Sequence, residues 1–259
     1  MTDLYTRRAV THSVGASITL GILASAFGAV LPKGARAAGS AAGGNCLTIL
    51  YPAGEGVTFN ADYYRDHHLV TIMKLYGKSI DRFELRTVAA APAPRFSAAV
   101  NIWISDLEAF NANNQTHGAT LRDDVHNFTN GQPTIQYDKV HGEMGEPRSA
   151  MKRGDTCLTI VYPNGKDVRW DVDYYRTHHM PLIMKLYGSA AIKRFELRKG
   201  DSGQQGGAPA YIGSVNIYIN DQQAFDAAGK EHGPTLVKDV PHFSSVMPLA
   251  FPTTLYGVA

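Results

Sequence analysis

Six of the ten histidines in this 259-residue chain fall at matching places in two similar stretches. The first, Asp62 to Gly77, reads DYYRDHHLVTIMKLYG; the second, Asp173 to Gly188, reads DYYRTHHMPLIMKLYG, 111 positions later. The pairs are His67/His178, His68/His179 and, further on, His117/His232. Neighbouring residues on a helix diverge by about 100°, so one histidine of each His-His pair must face outward. His68 and His179 align with Tyr64 and Tyr175 at i, i+4, on the row continued by Ile72 and Ile183. Imidazole titrates near neutral pH, and a buried tyrosine hydroxyl can orient it, so Tyr64–His68 and Tyr175–His179 are candidate acid–base pairs. The competing reading is a core histidine held by a tyrosine or a carbonyl and serving packing alone.

Other repeated polar residues are weaker candidates. His117 and His232, each before a glycine in a second helix, either cap a local turn or enter a cavity from its other wall. Asp124 and Asp239, seven residues on, read as structural, pairing with arginine or capping the next loop. Arg82/Arg86 and Arg194/Arg198 can bind an anionic or carbonyl oxygen, or form a salt-bridged strand face with Glu84 and Glu196.

The elements that must position these groups repeat as well. CLTILYP at Cys46 matches CLTIVYP at Cys157, RFELR occurs at Arg82 and Arg194, VNIWI at Val100 matches VNIYI at Val215, and HGATL at His117 matches HGPTL at His232. Each half reads strand, helix, two strands, helix, strand. Asn60 and Asp171 stand as N-caps of the first helices, and Gly77 and Gly188 as their ends. This predicts an α+β fold of two ferredoxin-like βαββαβ units, at 46–141 and 156–259, with a linker at 142–155. Val100, Ile102 and Ile104, like Val215, Ile217 and Ile219, form the face that carries helices. Asn101 and Trp103, like Asn216 and Tyr218, put an aromatic among polar groups on the other face, which suits a cavity wall. Two such sheets packed face to face close into a barrel within one chain.

These motifs resemble those of the EthD domain family, part of the dimeric α+β barrel superfamily. In the second half the resemblance rests on Trp170-Asp171-Val172-Asp173-Tyr174-Tyr175, His179-Met180-Pro181-Leu182, His232-Gly233 and Asp239 to Phe243. In the first it rests on Tyr63-Tyr64, His68, His117-Gly118 and Asp124 to Thr129. It implies that His68 and His179 are functional, and it carries a loose association with oxidoreduction and degradation pathways. The first half departs from the pattern, reading His68-Leu69-Val70-Thr71 where the second has His179-Met180-Pro181-Leu182. Proline inside a helix deletes a donor and bends the segment. The second half keeps the family's form, so if only one pocket is active the resemblance favours the one around His179.

The formal net charge is +2, yet the first 37 residues hold Arg7, Arg8, Lys33 and Arg36 against Asp3. Without that excess the rest is close to −1, which argues against nucleic acid as a partner. Paired arginines, a mild apolar run and Ala35-Arg36-Ala37 form a twin-arginine-type signal peptide at 1–37, hence a periplasmic or secreted protein with no membrane association after cleavage. An uncleaved anchor over Val14–Leu31 is the alternative. The two cysteines, Cys46 and Cys157, read as buried core thiols in preference to a bridge. No GxGxxG, P-loop, HExxH, GxSxG or CxxC is present, and no GxxDG of the haem peroxidases. No cofactor and no metal are therefore expected. The resulting expectation is an exported enzyme acting by histidine and tyrosine acid–base chemistry on a small aromatic or carbonyl-containing molecule, as an oxidoreductase or an isomerase/lyase. A non-catalytic periplasmic carrier is the rival, and a barrel filled by its own side chains is the third reading.

Overall fold

The computed structural model describes residues 43–88, 94–203 and 206–259, and the expected signal peptide at 1–37 lies outside them. Eight strands form a closed barrel in the order β1-β3-β2-β8-β5-β7-β6-β4, every neighbouring pair antiparallel. They are β1 (Asn45–Pro52), β2 (Ile80–Val88), β3 (Phe96–Ile104), β4 (Thr134–Gly145), β5 (Thr156–Pro163), β6 (Ile192–Gly203), β7 (Tyr211–Ile219) and β8 (Leu249–Val258). The first half supplies the run β4-β1-β3-β2 and the second the run β8-β5-β7-β6. The ring closes through β2–β8 and β4–β6, so each half completes the other's edges. The stretch 142–155, expected to be a linker, gives Gly142 to Gly145 to β4, where they pair with Leu197 to Arg194 of β6. Glycine there answers a steric demand, because a Cβ on Gly145 would meet the Lys193 carbonyl.

Four helices pack on the outside. Helix α1 covers 61–76 and α3 covers 172–191, while α2 is Leu107–Asp124 and α4 is Gln222–Phe243. All four begin at a side-chain cap: Asn60, Asp106, Asp171 and Asp221 each accept from the backbone N–H three residues on, at 2.7–3.0 Å. In α1 the α-helical turns Ala61–Tyr63 and Leu69–Tyr76 flank a wider π-helical turn, Tyr64–His68. In α3 the same turn is Tyr175–His179. Pro181 is not its cause, since the first half forms it with Val70 at that position and near-identical dihedrals. Gly188 breaks α3 three residues before its end with φ +74°, a left-handed conformation that favours glycine, whereas Gly77 remains right-handed.

Alternation along the strands divides the side chains into two layers. The outward residues, with the helices, make two apolar cores, one around Leu47, Ile49, Val100 and Phe110, the other around Val215, Ile217, Phe195 and Phe243. The inward residues do not line an open chamber as the sequence suggested. Asn101, Trp103, Asn216, Tyr218, Arg194 and Arg198 are all buried, and they bond to one another and to two buried glutamates. Trp103 Nε1 donates to Glu196 of the other half at 3.0 Å, and Tyr218 donates from its hydroxyl to Glu84 at 2.5 Å. Arg198 bonds Glu196 at 2.5 Å, Arg86 bonds Glu84 at 3.0 Å, and Arg194 holds Glu196 at 3.1 Å. Asn101 accepts from Arg86 and meets the Asn216 amide at 3.1 Å. The reason is electrostatic: once the ring excludes water, each charge and amide must find a partner among its neighbours. Cys46 and Cys157 are free thiols in this layer, and burial pushes Cys46 up to about 12.

Removing one member of such a network leaves its partners charged and unpaired. Glu196→Ala is expected to cost ~3–5 kcal/mol in urea unfolding. Asp81→Ala, which removes an exposed partner of Arg148, is expected to cost less than about 1 kcal/mol.

Candidate functional site

The first turn of each N-terminal helix is anchored by its cap, and the wider π turn that follows brings a tyrosine and a histidine to the inner face. Tyr64, His68, Tyr175 and His179 are all buried, while His67 and His178 are exposed. Such turns recur where a helix must present side chains that a regular spiral would rotate away. His179 donates from Nδ1 to Asp239 Oδ2 at 2.7 Å, and the Tyr174 hydroxyl donates to Asp239 Oδ1 at 2.9 Å. The first half repeats this with His68, Asp124 and Tyr63, at 2.7 and 2.8 Å.

Asp239 fixes the tautomer. Burial works to raise its carboxyl, but hydrogen bonds from His179 and Tyr174 outweigh this and hold it below the usual range. An ionised carboxylate only accepts, so the proton lies on Nδ1 and Nε2 keeps its lone pair. Burial lowers His179 below the ordinary 6.5, partly opposed by Asp239, so the ring is neutral at pH 7. The Tyr175 ring meets His179 edge-on, centroids 4.8 Å apart, and Phe243 packs on the other side at 4.6 Å. Tyr175 was expected to orient the histidine; Asp239 does so instead. The Tyr175 hydroxyl, near Tyr162, makes no hydrogen bond of normal geometry, and burial keeps it well above 10, hence protonated.

His179 and Tyr175 lie on the wall of a cavity of about 570 Å³ between the outer face of β5, β7 and β8 and helices α3 and α4. Its lining is apolar, with Leu158, Ile160, Ile183, Phe225, Leu236 and Phe251 prominent, and Arg95 at its edge. The cavity is therefore under the helices and not inside the barrel. Of the residues expected to bind substrate, Asn101, Trp103, Asn216, Tyr218, Arg194 and Arg198 are across the sheet from it. His117 and His232 are half-buried on α2 and α4; His232 faces Glu231 at 3.7 Å and does not line the cavity, although its neighbour Gly233 does. A histidine ahead of that glycine is turned away by the helix's own 100° step.

Sequence reasoning assigned Asp124 and Asp239 to capping or to arginine, and it passed over Tyr63 and Tyr174. Their signal was present: the Asp-Val pair keeps the same distance from His-Gly in both halves, and Tyr-Tyr is retained as a pair. Among the described residues no group of three or more His, Cys, Asp or Glu side chains is arranged to hold a metal ion.

No family model and no curated protein matches the sequence. A protein of Fusobacterium nucleatum, named a candidate monooxygenase, aligns over 84% of this chain and 94% of its own with a TM-score of 0.53 at 6% identity. The two share a fold, here a closed eight-stranded antiparallel barrel with its helices outside. An EthD-like protein from Ralstonia eutropha is 25% identical over 39% of this chain and 91% of its own, with a TM-score of 0.36. An anthrone oxidase-like protein covers 85% of this chain and 93% of its own at 8% identity, TM-score 0.49. At such identities the likeness speaks for the fold alone.

The lowered histidines tie stability to pH. A group whose folded pKa lies below its unfolded value binds more protons when unfolded, so its contribution is complete above 6.5 and is lost as pH falls from there towards the folded value. The unfolding free energy is expected to decline as pH falls below 6.5, and the decline should be shallower in His68→Gln and in His179→Gln. An unchanged slope in both variants would place the titrating groups elsewhere.

Proposed function

We propose that this chain is an exported, EthD-like enzyme of two ferredoxin-like units, acting by acid–base chemistry on a compact aromatic or carbonyl-containing molecule. One observation carries the reading: a histidine with its tautomer fixed by a carboxylate lies on the wall of a largely apolar cavity large enough for a small ligand. His179 is the base. Its Nε2 takes a proton from a carbon or hydroxyl made acidic by a neighbouring carbonyl or ring, and Asp239 stabilises the imidazolium that forms. The electron pair left behind moves onto the substrate oxygen, while the Tyr175 ring, edge-on to the imidazole, holds His179 in place. Return of the proton at another atom completes an isomerisation; loss of a leaving group instead completes an elimination. Tyr174 acts through Asp239 and is a positioning residue. Export rests on the sequence at 1–37.

A carrier of apolar ligands would use the same cavity, but it has no need of a fixed imidazole tautomer. Proton abstraction can be read without knowing the product, by following exchange of acidic C–H protons of ketones and polycyclic phenols into deuterated water by NMR. His179→Ala is expected to slow exchange ~10²–10⁴-fold while ligand binding persists. Asp239→Asn, which no longer enforces the tautomer, should slow it with little change in binding. Exchange by His179→Ala at the parent rate would leave the carrier as the reading.

A further inference from the structure

The same histidine, carboxylate and tyrosines occur in both halves, yet the space in front of them does not. From the second helix of each half onward the repeat offset is a constant 115 residues, so Asn114, Ile135 and Tyr137 correspond to Gly229, Ala250 and Pro252. The strand register gives the same match for the last two: Ile49 pairs with Ile135 and Leu47 with Tyr137, as Ile160 pairs with Ala250 and Leu158 with Pro252. All three first-half side chains are the larger of their pair, and all three enter the core under the first-half helices. The Tyr76 hydroxyl donates to Asn114 Oδ1 at 2.8 Å, and the Tyr137 hydroxyl meets the same amide. Ile135 and Tyr137 belong to one buried cluster with Leu47, Ile49, Phe110 and Leu121.

Exposure follows these differences. Leu47 and Ile49 are 2% exposed and Tyr76, Phe110 and Leu121 are 1% exposed. Their counterparts Leu158, Ile160, Tyr187, Phe225 and Leu236 are all only half-buried, and each lines the cavity. At Gly229 a Cβ would stand 3.3 Å from the Tyr187 hydroxyl, so a side chain there would press on a tyrosine that lines the cavity.

We propose that the first half holds a latent copy of the binding site, stoppered by Asn114, Ile135 and Tyr137, and that the chain takes one compact apolar ligand, in its second half. This rests on the second-half cavity being the site, as proposed above. Under the stopper the His68–Asp124 pair has no access to substrate and serves packing, with Phe128 against the imidazole at 4.6 Å.

The test is the number of 1-naphthol molecules bound per chain, by isothermal titration calorimetry. The parent protein should take one. Ile135→Ala with Tyr137→Ala should take two, and Gly229→Asn with Ala250→Ile should take none. Two in the parent, or one in the opened variant when its thermal unfolding stays cooperative, would overturn the inference. If the opened variant does not fold, the filled variant decides: one molecule still bound there overturns it as well. No uptake by the parent would remove both this inference and the proposed enzyme. If the counts come out one, two and none while His179→Ala keeps its exchange rate, the latent site stands and only the acid–base reading falls.

Discussion

Closure of the barrel depends on each half finding, in the other, the strand partners it lacks. A run such as β4-β1-β3-β2 ends in two open edges whose N–H and C=O groups need acceptors and donors. Pairing β2 with β8 and β4 with β6 closes both edges into one ring. The consequence for the inward side chains is severe. They enter a space without solvent, and the polar ones must satisfy each other. The crossed bonds Trp103–Glu196 and Tyr218–Glu84 show how: an aromatic donor from one half caps a carboxylate from the other, and the arginines beside them balance the charge. Chemistry that requires an unoccupied side chain must then be found on the other side of the sheet.

On that side the helices are held by caps and by apolar contact, so a gap costs only the dispersion and transfer energy of the missing atoms. The pair of buried His179 and half-buried Asp239 survives there because the carboxylate is bonded and the imidazole is neutral. The carboxylate accepts from both the imidazole and Tyr174, and the ring is clamped between Tyr175 and Phe243. A neutral imidazole on the wall of an apolar cavity tolerates its surroundings, and a charged one would not. That difference is also what makes it a usable base near neutral pH.

The order of the elements, the caps at Asn60 and Asp171 and the division of β3 and β7 into two faces were all legible, because each depends on residues within one turn or one strand. What lies across the fold was not. Asp239 is 60 positions from His179, and nothing local distinguishes an aspartate that orients a histidine from one that caps a loop. The polar face of Asn101, Trp103, Asn216 and Tyr218 suggested a cavity wall because alternation reveals which residues share a face. It does not reveal whether the opposite sheet supplies partners that close the space. Pro181 illustrates a related error. It drew attention as the departure between halves, yet the backbone around His68 and His179 is nearly the same with and without it.

The departures that separate the halves are quieter ones. Glycine for asparagine, alanine for isoleucine and proline for tyrosine look like neutral drift in a list of residues, and their effect appears only where the three positions converge. Two identical chains assembled into such a barrel cannot differ in this way, because any change appears on both sides. A single chain with two covalently joined halves can. One half keeps a tight core of Tyr76, Asn114 and Tyr137, which favours the folded state, while the other gives up contacts to hold a cavity. Both halves share one barrel wall through β2–β8 and β4–β6, so the well-packed half stabilises the scaffold that the open one uses. Asymmetry of packing, with the site geometry held constant, is thus the freedom that joining the halves provides.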